Sequence, residues 1–414
     1  MNSIPLKRVA RIRYGLGQPP PLSDSGVPII RATNISRGRI DESNLLRAEL
    51  GDLPLDRAPL LSEGEILVVR SGAYTGDSAR VPKKWAGSAP GYDLRVTPIN
   101  IDSRYAAWSL LSTAALNQMR LASSRAAQPH LNAEELGEVE IHLPPLAEQH
   151  RIADYLDAET RHMDAMTRAR EAQLRCLQQL WQSRLAATAD ELLEAHGLLP
   201  LRRVVNSVEQ GWSPQCDDAV AAPLEWAVLK TNAVSTGTFL PLEHKRLPSG
   251  LAPDLRYRIA DGDILMTRGS GSPSHVGVAT LADTQGRNLL LSDLLYRIRM
   301  GYGWSPRFVT LMLNSQPVRG YMSLFFRGQS GQTIKLRAED IKSISIPAAP
   351  NHSQDAIAEA LESERNKLDA ARAALTRSQL LLSERRQALI TAAVTGQFDV
   401  STAGGRNVTE GVSA

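Results

Sequence analysis

The second half of this chain repeats the first. "LKRV" at 6–9 returns as "LRRV" at 201–204, and "IIRATNIS" at 29–36 as "VLKTNAVS" at 228–235. "EGEILVVRSG" at 63–72 matches "DGDILMTRGS" at 261–270, and "LNAEELGEVEI" at 131–141 matches "LRAEDIKSISI" at 336–346. The mid-chain stretch "PPLAEQHRIADYL" at 144–156 returns as "APNHSQDAIAEAL" at 349–361. A chain that repeats in this order is constrained to two copies of one architecture.

The spacing between equivalents begins near 195, passes through 198 and 199, and holds at 205 from about Leu131 onward. Length changes therefore fall early in each repeat, where loops absorb them, while the later part keeps the fixed register of packed helices. The expected division is a block at 1–143, a helix at 144–199, a second block at 200–346, a second helix at 347–400 and a disordered tail at 401–414. Within the blocks, "GEILVVR" and "GDILMTR" are short Val/Ile/Leu-rich runs bounded by turn formers, which predicts strands. Helical stretches follow at 103–120 and 306–322, so the expected fold class is α+β, with two mixed α/β blocks separated by two long helices.

Prolines at 144–145, 347 and 350 suit helix entry, because a first-turn proline forfeits no hydrogen bond. In the second helix Leu361, Leu368, Leu375, Leu382 and Leu389 recur every seven residues, and Ile357 opens the alternate seam between them. The alternate seam, Glu364, Ala371, Ser378 and Arg385, is poor. The first helix has a looser stripe that includes Ile152, Leu156, Met163 and Leu177. One good stripe facing a looser one predicts that the two helices pair as a coiled coil. Some 45–50 residues would span about 70 Å at ~1.5 Å each.

Charge and composition narrow the function. The blocks carry net charges of +2 and +5, and the helices −3 and −1. Arginine outnumbers lysine 39 to 8; its planar fork suits phosphates and guanine edges, although a GC-rich genome produces the same bias. No apolar run reaches membrane-span length, the N-terminus lacks an apolar signal region, and Cys176 and Cys216 are the only cysteines. A cytoplasmic protein without a metal site is expected. No HExxH, GxSxG or glycine-rich nucleotide loop occurs, nor the Asn-Pro-Pro-aromatic signature of an amino-methyltransferase. "GAYTGDS" at 72–78 lacks the P-loop lysine and is expected to be a turn. "EHK" at 243–245, with Asp217 and Asp218 upstream, is a weak echo of a nuclease motif. No catalytic residue is assigned.

Two similar basic blocks on two paired helices suggest two reading heads, each suited to a different half-site of DNA. "IHLPPLAEQHRIADYLDAE" at 141–159 and "RRQALITAAVTGQFDV" at 385–400 resemble the central and C-terminal conserved regions of the DNA-specificity subunit of type I restriction–modification systems. The likeness runs the length of the chain; the second copy departs from it, with one proline lost and Ser353 opposite Glu148. The resemblance implies two target-recognition domains, antiparallel helices, and a non-catalytic subunit that reads double-stranded DNA. It also implies two adenine-methyltransferase modification subunits and restriction/translocase subunits as partners. S-adenosylmethionine, ATP and Mg would then act in those partners, with no cofactor in this chain.

Candidate DNA contacts come from the matched strand ends. "VVRSGAYTG" at 68–76 offers Arg70 and Ser71, and "MTRGSGSPS" at 266–274 offers Arg268 and Ser270, each entering a Gly/Ser loop that lets backbone approach phosphate. A second matched pair, "SSRAAQPHLN" at 123–132 and "FRGQSGQTIKLR" at 326–337, offers Arg125, Gln128 and His130, then Gln329, Gln332 and Lys335. Thr33-Asn34 and Thr231-Asn232 read as turn formers. Two alternatives stand beside the DNA reader: an enzyme acting alone, and a coiled-coil scaffold or decoy that binds only protein partners.

Overall fold

In a computed structural model of the chain, residues 3–124, 129–328 and 333–400 are described. The chain divides into two compact units. The first takes residues 1–171 and 376–414, and the second residues 172–375.

The first unit is built on a four-stranded antiparallel sheet of β1 (Ala10–Tyr14), β2 (Ile66–Val68), β3 (Ser78–Arg80) and β4 (Leu94–Pro98), in the order β1-β4-β2-β3. β2 is buried along its whole length, as its unbroken Ile-Leu-Val run requires. The second unit repeats this with β5 (Val205–Gln210), β6 (Ile264–Thr267), β7 (Ala279–Leu281) and β8 (Leu295–Met300), in the order β5-β8-β6-β7. Each unit also carries a three-stranded sheet with one antiparallel and one parallel pairing, centred on Val27–Ile30 or Trp226–Leu229. The sequence repeat is thus a repeat of topology.

Behind each sheet two short helices share the core: α1 (Ser103–Leu110) and α2 (Thr113–Ser123), then, in the second unit, α4 (Pro306–Leu313) and α5 (Gln316–Ser323). The long helices are α3 (Leu146–His196) and α6 (Asn351–Val394), and each belongs in part to both units. Among the described residues no helix is long and apolar enough to cross a membrane.

In the first unit Ile152, Leu156 and Met163 of α3 share one core with Leu389, Ile390 and Val394 of α6. Tyr155 packs on Phe398 at 5.7 Å between ring centres, while Asp164 meets Arg386 at 3.8 Å, so the contacts run in opposite senses. In the second unit Leu185 and Leu192 of α3 join Ala358 and Leu361 of α6, and Arg184 bonds Glu364 at 3.0 Å. The heptad leucines are not equally covered. Leu361, Leu382 and Leu389 are buried, whereas Ile357, Leu368, Leu375 and Leu177 are half-buried.

The glutamine of each helix-entry motif has a structural task. Gln149 accepts the Asp102 N–H at 2.9 Å and donates to the Pro144 carbonyl at 2.8 Å, pinning the start of α3 to the cap of α1. Asp102 in turn accepts the N–H groups of Arg104 and Tyr105. In the second unit Gln354 accepts the Ser305 N–H at 2.9 Å and donates to the Ala349 carbonyl at 3.0 Å.

Candidate nucleic-acid interface

In each unit the strand-end loop and the loop after the second helix, matched in the sequence, lie side by side. Leaving β2, the chain presents Arg70, whose carbonyl accepts the Leu131 N–H at 2.7 Å, and Ser71 bridges to His130. Leaving β6, Arg268 accepts the Leu336 N–H at 2.9 Å, Gly269 pairs with Lys335 and Ser270 with Ile334. A Cβ on Gly269 would meet the Ile334 carbonyl oxygen at 3.2 Å, so the glycine permits the close approach. Arg70, Ser71 and His130 are therefore neighbours, as are Arg268, Ser270 and Lys335. Arg125, Gln128, Gln329 and Gln332 lie outside the described residues.

The two arginines are held differently. The Arg70 guanidinium lies between two rings, 4.7 Å from the centre of Tyr14 and 4.3 Å from that of Tyr92. Its Nη2 is 2.7 Å from His130 Nε2. Because an arginine only donates, His130 accepts there and carries its proton on Nδ1. Tyr14 is fixed in turn, its hydroxyl accepting the Ala133 N–H at 3.2 Å. Arg268 instead donates to the Asp293 carbonyl at 3.3 Å.

Under the stack sits Asp93, which accepts the Arg70 N–H at 3.3 Å. Burial pushes its carboxyl up to about 6, against the opposing pull of the Arg70 N–H, the Arg70 charge and the Ala32 N–H. Tyr14, Tyr92 and Asp93 escape the reading of the sequence above. The available signal was a pair of glycine–tyrosine junctions, "YG" at 14–15 and "GY" at 91–92. A Cβ on Gly15 would stand 2.1 Å from the Gly91 carbonyl oxygen, and this contact sets the two tyrosines on either side of Arg70.

Other charged groups have structural duties. His244 is buried, with Nε2 accepting the Ala221 N–H at 2.9 Å and Nδ1 2.7 Å from the Pro241 carbonyl. Asp217 pairs with Arg246 and Asp218 with Lys245, so the nuclease-like pattern is occupied by internal bonds. Asn34 is buried and ties its loop by accepting the Arg31 N–H and donating to the Asp41 and Ser43 carbonyls. A cavity of about 440 Å³ in the first unit is lined by Arg39, Arg80, Lys84 and Arg104, beside Trp85 and Trp108. Each of these four cations already meets a carboxylate.

Comparison with known proteins bears on these readings. Residues 21–175 match the family described as type I restriction modification DNA specificity domain. The EcoKI specificity subunit of Escherichia coli (strain K12) is 26% identical over 362 residues, covering 82% of this chain and 76% of that one.

The chain is similar to DNA-specificity subunits of type I restriction–modification systems. A further relative, the EcoEI specificity subunit of Escherichia coli, is 30% identical over 154 residues, 36% of this chain. That match spans only 26% of the relative's own length. A solved chain described for the complex assembly and conformational transition of the type I R-M system shares the fold at TM-score 0.69. It is 18% identical, and the likeness covers 96% of this chain and 98% of that one.

Proposed function

We propose that the chain is the non-catalytic reading subunit of a type I complex, with each unit taking one half of an asymmetric, split DNA site. On this reading 1–143 and 200–346 are the two target-recognition domains. The segments 144–199 and 347–400 pair as an antiparallel coiled coil that fixes the spacing of the half-sites and docks two modification subunits. DNA meets Arg70, Ser71, Arg125, Gln128 and His130 in the first unit, and Arg268, Ser270, Gln329, Gln332 and Lys335 in the second. Methyl transfer with S-adenosylmethionine, and any ATP-driven cleavage with Mg, fall to partner subunits in the cytoplasm.

One observation carries this reading. The two units share sheet order and helix placement, yet present different side chains at the same strand-end loops. A common scaffold with unlike tips suits one polymer read at two unlike sequences.

The test is a genome-wide map of methylated adenine in the host, with the gene intact and deleted. Loss of one split, asymmetric motif on deletion is the expected result. An unchanged map would leave a chain that binds partners without directing them to a sequence.

A further inference from the structure

We infer that Arg70 reads a guanine in the half-site taken by the first unit, with Tyr14 and Tyr92 as positioning residues that hold its fork in one plane. The inference rests on the DNA-reading function proposed above and names the base that one side chain recognises.

The geometry limits what Arg70 can do. The guanidinium carbon lies over two rings, 4.7 Å from the centre of Tyr14 and 4.3 Å from that of Tyr92, which leaves little room for a base to stack on it. Only its in-plane edge remains for a ligand. One Nη2 proton is drawn towards His130, and Nε is buried without a hydrogen-bond partner among the described residues. The protons left on Nη1 and Nη2 form a planar pair of donors. Such a pair matches two acceptors lying in one plane, which guanine presents as O6 and N7 in the major groove. Tyr14 and Tyr92 are themselves 45% and 49% exposed, so the stack stands at the surface.

A phosphate also offers two oxygens to an arginine fork, and comparison of the units decides between the two. DNA backbone is the same at both half-sites, so a sequence-independent contact calls for the same device in both repeats. Among the described residues the device occurs in one. Leu16 and Trp212 make the same bond, donating to the carbonyls of Gly91 and Leu291, which places Gln210 at the position of Tyr14 and Ser292 at that of Tyr92. Among the described residues the arginine is kept in both units and its clamp only in the first. A feature present in one half serves what differs between the halves, which is base sequence.

The test uses the complete methyltransferase assembled with this chain, first mapping the adenines it methylates and then binding duplexes in which each G·C pair of that motif is replaced singly. Arg70→Lys keeps the charge and loses the fork, so the variant should methylate a motif degenerate at one guanine, with the other half-site and the spacing unchanged. Its affinity for the parent duplex should fall about 10- to 100-fold, as for one bidentate base contact, with no further loss on the duplex altered at that guanine. Tyr92→Ala should weaken discrimination at the same position, and Tyr92→Phe should restore it. A wild-type motif in which the half read by the first unit holds no G·C pair leaves Arg70 nothing to read and overturns the inference, as does an unchanged motif in Arg70→Lys. So does a uniform loss across all duplexes in Arg70→Gln with a salt slope reduced by about one, which marks a phosphate contact. A wild-type complex that methylates no split motif refutes the underlying reading itself.

Discussion

Gln149 and Gln354 stand 205 residues apart and make the same two hydrogen bonds, one to the N–H of a short helix's cap and one to a carbonyl at the start of their own helix. Both side chains are buried, at 3% and 0% exposure, so truncation would strand a donor and an acceptor away from water. Gln149→Ala should destabilise the first unit, and Gln354→Ala the second, by about 1–3 kcal/mol each. Hydrogen exchange at the Asp102 and Ser305 amides checks this: each should speed up in its own variant alone. Equal protection in both variants would mean that the glutamines are not what holds the caps.

These glutamines also show how far the sequence could be read. They are visible in "PPLAEQ" and its weaker copy, and the constant spacing of 205 already placed them in equivalent settings. That the Arg70 and His130 segments both recur at matched positions was legible in the same way, whereas their adjacency comes from the bonds between the two loops. The clamp was not legible, because Tyr14 and Tyr92 meet through the pairing of strands far apart in sequence and a glycine contact that leaves no periodic trace. Heptad leucines disclosed the long helices but not their sharing. Each unit draws part of α3 and part of α6 into its own core, while Leu368 and Leu375 in between stay half-buried.

Asp93 gives a pH signature. Burial raises its carboxyl from 3.8 to about 6, so between roughly pH 4 and 6 the folded chain holds a proton that the unfolded chain releases. Stability from this group therefore falls as pH rises through that window and stays reduced above it. Asp93→Asn keeps an oxygen for the Arg70 N–H and removes the buried charge. The variant should gain about 1–3 kcal/mol at pH 8, and the gain should vanish below about pH 4. Thermal melts of both proteins across this range are the check. A variant less stable at pH 8 would mean that attraction to the Arg70 charge outweighs the burial.

A buried ion pair recurs in both units with altered partners. Arg95 of β4 bonds Glu65 through Nε at 2.7 Å and Nη2 at 2.5 Å. Burial pushes the Glu65 carboxyl up, but the bonds from Arg95, the Ser62 N–H and Thr97 hold it below its ordinary value. At the same place Arg297 of β8 faces Asp263 at 3.7 Å and recruits Glu209 of β5. Arg95→Ala should cost about 3–5 kcal/mol, because Glu65 is left charged and enclosed. The double change Arg95→Met with Glu65→Met should cost clearly less, which denaturant titration would measure. Stability from the parent pair should fade as pH drops below the ordinary glutamate range, where unfolding takes up the proton that the folded carboxylate resists.

Asp164 is the counter-charge of an arginine cluster at the end of α6. It pairs with Arg39 and lies 3.8 Å from Arg386, whose Nη2 donates to the Arg37 carbonyl at 3.1 Å. Burial, reinforced by Arg39 and Arg37 and only partly opposed by Asp77, pushes the Arg386 guanidinium down to about 10, so this cation is held at a cost. Asp164→Ala removes a neutralising charge and leaves Arg386 enclosed beside Arg37 and Arg39 with Asp77 alone to oppose them, for a loss of about 2–4 kcal/mol in the first unit. Adding Arg386→Met removes the stranded cation while keeping an apolar chain near Trp108, and should recover most of that loss. A double-mutant cycle read by denaturant midpoint separates the alternatives: strong coupling assigns the stability to the Asp164–Arg386 interaction, whereas additive losses would assign it to Arg39 at the more exposed edge.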